Sequence, residues 1–212
     1  MTKEREREME HVFDAAFWDR MYRHRDAAWD GEPNGFLAQE TTDRLPGTAL
    51  DLGCGEGADA VWLANRGWRV TAVDLSNVAL DRGRAADTAQ AVSWLQADML
   101  VWQPPADAYD LVSLHYVHVP PAERAALFGR LARAVRPGGT VLVVAHHPSD
   151  LETTVGRPPI PDLYFTSEEV AALLIPGRWE ILVDGRRPQS VTDREGRPLI
   201  IHDMVLKARR LD

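Results

Sequence analysis

Gly53, Gly55 and Gly57 alternate directly behind Ala49-Leu50-Asp51-Leu52, so an apolar, acid-bearing strand turns sharply into a helix. Glycine admits backbone conformations closed to residues with a Cβ and lets a flat ligand approach the main chain, which is the chemistry of a nucleotide-binding turn. Two more acids close similar runs: Asp74 follows Trp68 to Val73, and Asp98 follows Val92 to Ala97. A carboxylate at Asp74 can accept both hydroxyls of a ribose. Asp98 can accept from an adenine amino group, with Met99 against the ring. Four of the seven histidines, His115, His118, His146 and His147, stand at the ends of two further apolar runs. An imidazole there can act as a base, orient a substrate or satisfy buried partners. A metal site built from the four would lack a His-x-x-x-His helix or an accompanying set of Cys and carboxylates.

The turn also satisfies the loose dinucleotide pattern G-x-G-x-x-G/A, which by itself is a weak signal. A dinucleotide sets its pyrophosphate against the helix N-terminus, where the carboxylate of Glu56 would repel it. S-adenosylmethionine has no phosphate and carries a sulfonium and an ammonium, so acids at Asp51 and Glu56 suit it better. A nicotinamide-dependent oxidoreductase is the second reading, set back by Glu56, by Asp98 and by the lack of room for a catalytic domain. A module that binds the cofactor without turnover is the third, since a fold alone never proves an activity. Methyl transfer is an in-line displacement, so positioning and water exclusion supply most of the catalysis, and only some nucleophiles need a base. His115 is the leading base and His146 the next.

These groups need elements to hold them. Phe13, Ala16, Phe17 and Met21, with Met9 and Val12 before them, recur at three- and four-residue spacing and predict an amphipathic helix over about 5–25. It packs on the body, or its end, carrying Trp18 and Tyr22, covers the site. From Thr48 strands and helices alternate. Ser76 caps a helix to about Gln90, and Pro120-Pro121 opens another that Pro137-Gly138-Gly139 stops. Val141 to Ala145 is a continuously apolar run, as a strand buried on both faces should be. The pattern is that of βα units in a parallel sheet. His147 to Phe165 reads as a long loop, Thr166-Ser167-Glu168-Glu169 as a capping box opening a helix to about Ile175, and 179–183 and 200–208 as two last strands. Trp18, Tyr22, Trp29 and Tyr164 are candidates for an aromatic wall, where a sulfonium also suits cation–π contact, or for ordinary core.

A chain of 212 residues with 45% hydrophobic content fits one domain with one core. Its net charge of −8 argues against a surface that tracks phosphates, so nucleic acid is not an expected partner. The single cysteine, Cys54, excludes an intrachain disulfide, and its place in the turn calls for a small side chain rather than a reactive one. With a charged opening, Met1 to Glu8, and no membrane-length apolar run, a soluble cytoplasmic protein is expected.

Taken in order, D-L-G-C-G-E-G at 51–57, V-D-L-S at 73–76, Q-A-D-M at 96–99, Tyr109 to Leu114 and R-P-G-G-T at 136–140 resemble the class I S-adenosylmethionine-dependent methyltransferases. The likeness covers about residues 45–147. Outside it, Phe17 to Tyr22 with Trp29 and Pro33-Asn34, and Asp193 to Pro198 before a last strand, resemble the small-molecule branch that includes tellurite-resistance and thiopurine methyltransferases. The resemblance implies a single Rossmann-like α/β domain with a doubly wound, mostly parallel sheet. It also implies a C-terminal antiparallel hairpin and an N-terminal helical cover, 1–36 being the cover and 45–212 the core. It implies S-adenosylmethionine as cofactor, held by Trp18, Tyr22, Asp51, Gly53, Cys54, Gly55, Asp74, Leu75, Asp98, Met99 and His115. Catalysis would rest on His115 and His146. The expected partner is a small-molecule acceptor, with no nucleic acid or membrane and a monomer or weak homodimer.

Overall fold

In the computed structural model, residues 13–24, 32–155, 157, 160–193 and 195–212 are described, and Trp29 and residues 5–12 of the expected first helix lie outside them. Within the described part the first helix, α1, runs Ala15–His24, with the Asp14 carboxylate accepting from the Phe17 amide at 2.7 Å as its cap. The next, α2 (Gly35–Thr41), has no counterpart in the sequence reading and straddles the expected boundary between cover and core. Asn34 caps it through Phe36 and Leu37, and Leu37 is fully buried.

The core alternates as expected: β1 (Thr48–Leu52), α3 (Ala58–Ala64), β2 (Arg69–Asp74), α4 (Asn77–Ala86), β3 (Val92–Gln96), β4 (Tyr109–His115), α5 (Pro121–Ala134) and β5 (Val135–His146). Two 3₁₀ turns, Pro148–Glu152 and Pro161–Leu163, shape the long loop. The short α6 (Ser167–Ala171) and the hairpin of β6 (Trp179–Thr192) and β7 (Pro198–Arg210) complete the chain. The local signals behave as their chemistry dictates: Ser76 accepts from the Ala79 amide, and Thr166 and Glu169 form a reciprocal capping box. The last two strands are far longer than their apolar cores, 179–183 and 200–208, suggested, because each supplies the other's hydrogen bonds over a long ladder broken by one register shift between Ile181 and Val183.

The seven strands lie in the order β3-β2-β1-β4-β5-β7-β6. The first five pair in parallel, and β7 joins β5 and β6 antiparallel. The order reverses between β1 and β4, so the carboxyl ends of those strands open the crevice where such sheets bind ligands. Both faces of the central strands are covered, while β6 at the edge is largely exposed. Along β5, Val141, Val143 and Ala145 join Leu127, Phe128 and Leu131 of α5, while Leu142 and Val144 join Leu37, Leu63 and Trp68 on the opposite face. This alternation follows from the two-residue period of a strand. Each such buried Val, Leu or Phe side chain contributes roughly 1.5–3 kcal/mol, which holds the strand ends where the site needs them.

Candidate active site

Asp51 lies in the buried part of β1, next to its last residue Leu52 and opposite Ser113 of β4, whose hydroxyl donates to its Oδ1 at 3.2 Å. Its Oδ2 is buried and has no hydrogen-bond partner. Asp59, in the first turn of α3, accepts from the Asn34 amide at 2.6 Å with Oδ1 and meets His115 Nδ1 at 2.7 Å with Oδ2. The other nitrogen of His115, Nε2, is buried and unpartnered. Burial and then the Asp59 charge raise the Asp51 pKa to about 7, against the opposing pull of His115 and Ser113. Two carboxylates thus share a dry corner with one imidazole. Such a corner has a deficit of positive charge.

The glycine turn sits above that corner. The amides of Gly53 and Cys54 donate to Val73 O, and the Gly55 amide donates to Asp74 Oδ2 at 2.9 Å. Asp74 Oδ1 accepts from Ser76 N at 2.8 Å, so this carboxylate, placed at the end of β2 as expected, also holds the turn in shape. Burial nevertheless raises its pKa. Gly55 has φ +56°, and a Cβ there would lie 2.8 Å from the Tyr22 hydroxyl. Above Gly53 the space belongs to the chain itself: a Cβ would meet Val117 and, at 3.4 Å, Met99. Asp98 turns inward on its own loop, accepting from Leu100 N at 2.8 Å. Leu75 offers its carbonyl to Gln96 at 3.2 Å. Burial and Asp51 push the Cys54 thiol up, which keeps it protonated and unreactive.

One expectation is corrected here. Glu56 does not face the ligand side of the turn; it is buried and pairs with Arg82 of α4 at 2.6 Å. Its charge is paired with that of Arg82, so the expected repulsion no longer follows from its place beside the glycines. Asp51 and Asp59 lie close together without such a cation among the described residues. The third glycine, Gly57, likewise serves packing, because a Cβ at 57 or at Gly83 would overlap the Trp94 indole.

α1 lies over the carboxyl edge of the sheet. Asp19 Oδ1 accepts from the Ser76 hydroxyl at 2.6 Å and from Val78 N at 3.3 Å, which ties α1 to the start of α4. Chiefly that hydroxyl lowers the Asp19 pKa. The Trp18 ring lies 6.0 Å from the His118 ring, which also stacks with Phe13 at 5.5 Å.

The far end of the site is built by β4, β5 and β7. Tyr116 takes φ +52°, a conformation costly for a residue with a Cβ, and so leaves β4 with its hydroxyl on Asp203 Oδ2 at 2.8 Å. Its ring lies 4.6 Å from that of His146. Burial and Asp203 raise the phenol's pKa, so it stays a donor. His146 has Arg157 Nη1 3.0 Å from Nε2 and Asp203 Oδ1 3.6 Å from Nδ1. Tyr116, Val117, His118, Ala145, His146, Leu163 and Tyr164 line a small cavity. Burial, then His146, lowers the His118 pKa. His147 departs from the cluster, since its Nδ1 caps the following turn through Ser149 N at 3.1 Å. Among the described residues no three His, Cys, Asp or Glu side chains converge on a metal-ion position.

The structure therefore gathers Asp51, Gly55, Asp74, His115 and Tyr22 about the glycine turn and Tyr164 and His146 about the cavity, with Trp18 against His118 of that cavity. The sequence reading missed Asp59, Asn34, Asp19, Arg157 and Asp203. Two of these left a trace: Asp59 stands two residues beyond the last glycine of the turn, and Asp203 interrupts an apolar strand.

Residues 49–139 match a protein-family profile described as a methyltransferase domain. An uncharacterized methyltransferase of Mycobacterium tuberculosis is 38% identical over 99 residues, 45% of this chain and 48% of that protein. The chain thus spans about half the length of that curated relative. Thiocyanate methyltransferase 1 of Arabidopsis thaliana is 25% identical over 189 residues, 85% of this chain and 80% of that protein. Among solved structures, one described as "Conversion of a Disulfide Bond into a Thioacetal Group during Echinomycin Biosynthesis" superimposes with a TM-score of 0.73 at 24% identity, covering 93% of this chain and 92% of that one. That likeness shows the fold.

Proposed function

We propose that this chain, whose residues 49–139 match a methyltransferase-domain profile, is a class I S-adenosylmethionine-dependent methyltransferase that transfers a methyl group to a small-molecule acceptor. When bound, S-adenosylmethionine supplies an electrophilic methyl carbon on a positively charged sulfur, next to an ammonium. The observation that carries the proposal is the orphaned Asp51 Oδ2, buried beside Asp59 with its pKa raised to about 7. Two acids and one imidazole in a dry corner favour a cationic guest, whereas a pyrophosphate would add to the repulsion.

Asp51, Gly53, Cys54, Gly55, Asp74, Leu75, Asp98, Met99 and His115 are the residues proposed to hold the cofactor. Asp74 retains lone pairs for a ribose beyond the two amides it already accepts from. The Tyr22 hydroxyl closes over Gly55, where even a Cβ would lie only 2.8 Å from it, so Trp18 and Tyr22 on α1 are proposed to cover the cofactor and exclude water. His115 and His146 are the proposed proton-handling groups. A small-molecule acceptor in the cavity between Tyr116 and Tyr164 agrees with the net charge of −8, which disfavours nucleic acid. Among the described residues no helix is long and apolar enough to cross a membrane; a cytoplasmic location and a monomer or weak homodimer are part of the proposal.

The test is calorimetric titration with S-adenosylhomocysteine, followed by an acceptor panel of thiols, phenols, quinols, amines and tellurite read by S-adenosylhomocysteine release. Binding with turnover of one class is expected. Binding without turnover would make the chain a cofactor-binding module, and preferential NADH binding would overturn the assignment.

A further inference from the structure

Asp203 is 1% exposed in the middle of β7, where Met204, Val205 and Leu206 beside it are fully buried. A carboxylate is placed in such a strand only at a cost in solvation, and so calls for a compensating role. Its Oδ2 is occupied by the Tyr116 hydroxyl and the Gln189 side-chain amide. Its Oδ1 is buried and has no hydrogen-bond partner. His146 stands directly opposite Asp203 in the antiparallel pairing of β5 with β7, which sets the two side chains on one face. The His146 Nδ1 is also buried and unpartnered, and it faces Asp203 Oδ1 at 3.6 Å. A few tenths of an ångström of closure turns these two orphans into one hydrogen bond.

The opposite nitrogen fixes the proton's place. Arg157 Nη1 lies 3.0 Å from Nε2, and a guanidinium can only donate. Nε2 is therefore the lone-pair nitrogen, and the ring proton sits on Nδ1 toward the carboxylate. His146 also lines the cavity with Tyr116, His118 and Tyr164, at the carboxyl edge that β5 shares with β1 and β4. Arg157 Nη2, 3.4 Å from the buried Asp150, keeps the guanidinium at hand when another donor takes its place on Nε2.

We propose that Asp203 is a positioning residue that holds His146 as a proton acceptor with Nε2 toward the pocket, and that the methyl acceptor is a hydroxyl compound, a phenol or quinol, rather than a nucleophile already anionic at neutral pH. The proposal rests on the methyl-transfer reading above. As the acceptor oxygen bonds to the methyl carbon, the carbon–sulfur bond breaks with its electron pair left on sulfur. The hydroxyl proton passes to His146 Nε2, the imidazolium is stabilised by Asp203, and the proton then leaves to solvent. An acceptor that arrives as a thiolate has no proton to give and gains nothing from the pair.

The experiment compares the full chain with Asp203→Asn, Asp203→Glu and His146→Gln. Nitrogen-15 NMR of the ligand-free protein, with the His146 signals assigned by their loss in His146→Gln, should show the Nδ1–H tautomer and its loss or mixing in Asp203→Asn. Asp203→Asn should lower kcat for hydroquinone by roughly 10²–10⁴-fold, with S-adenosylhomocysteine affinity and the thiophenol rate changed less than about threefold, and Asp203→Glu should recover part of the loss. Should Asp203→Asn fail to fold, His146→Gln should lower the hydroquinone rate by a larger factor than the thiophenol rate. An Nε2–H tautomer in the wild type, equal losses for both acceptors, or turnover of thiophenol with no hydroxyl acceptor would overturn the proposal. Failure of the methyl-transfer reading itself shows separately, as a wild-type protein that does not bind S-adenosylhomocysteine.

Discussion

Replacing Asp51 by asparagine should stabilise the ligand-free protein at pH 8, do little for it at pH 5, and weaken cofactor binding at both. The side chain is almost wholly buried, and burial with the Asp59 charge raises its pKa from the ordinary 3.8 to about 7, a rise of about 3 pH units or roughly 4 kcal/mol. The sign follows from proton counting. Between about pH 4 and pH 7 the native protein keeps a proton on Asp51 that the unfolded chain has lost, so stability falls as pH rises through that window. The penalty is complete above about 7 and absent below about 4. Asparagine has the same shape and no charge, but it sets an amide where Oδ2 had no partner, which costs roughly 1–3 kcal/mol. At pH 8 the variant is therefore ahead by about 1–3 kcal/mol, and at pH 5, where most of the penalty is already relieved in the wild type, the two come out near parity. Urea unfolding of both ligand-free proteins at the two pH values gives the difference directly. Other acids titrate in both proteins and largely cancel, while coupling to Asp59 and His115 broadens the transition without changing its direction. A stability difference independent of pH would refute the reasoning, and unchanged S-adenosylhomocysteine affinity would remove Asp51 from the cofactor site.

Two further outcomes are expected. Gly55→Val should abolish S-adenosylhomocysteine binding while circular dichroism retains most of the wild-type spectrum, because a Cβ would approach the Tyr22 hydroxyl at 2.8 Å on a backbone with φ +56°; wild-type affinity would mean that no ligand crosses this turn. Asp19→Ala removes the carboxylate that accepts from Ser76 and Val78, so hydrogen exchange over residues 15–24 should accelerate, with an overall stability loss of only about 1 kcal/mol. Equal protection in variant and wild type would show that apolar packing alone seats α1.

The sequence by itself determined the features that depend on a few neighbouring residues. The glycine turn after β1, Asp74 at the end of β2, the Ser76 cap, the proline-led start of α5 and the unbroken apolar run of β5 all express steric or capping rules acting within one turn or one strand. From these the parallel core and its ligand edge were legible. What pairs across the sheet was not. Asp59 and His115 are 56 residues apart, and Thr48 to Leu52 had to settle beside Leu111 to Leu114 before the two could meet. Asp203 reaches His146 only through the register of β5 with β7, and no local pattern states that register. Glu56 shows the converse. Its place beside the glycines suggested a role toward the ligand, yet tertiary packing brought Arg82 to it and turned it into an internal ion pair. A charge's meaning depends on what lies within a few ångströms of it, because electrostatic and hydrogen-bond energies fall away over that distance. Only the folded chain sets those distances.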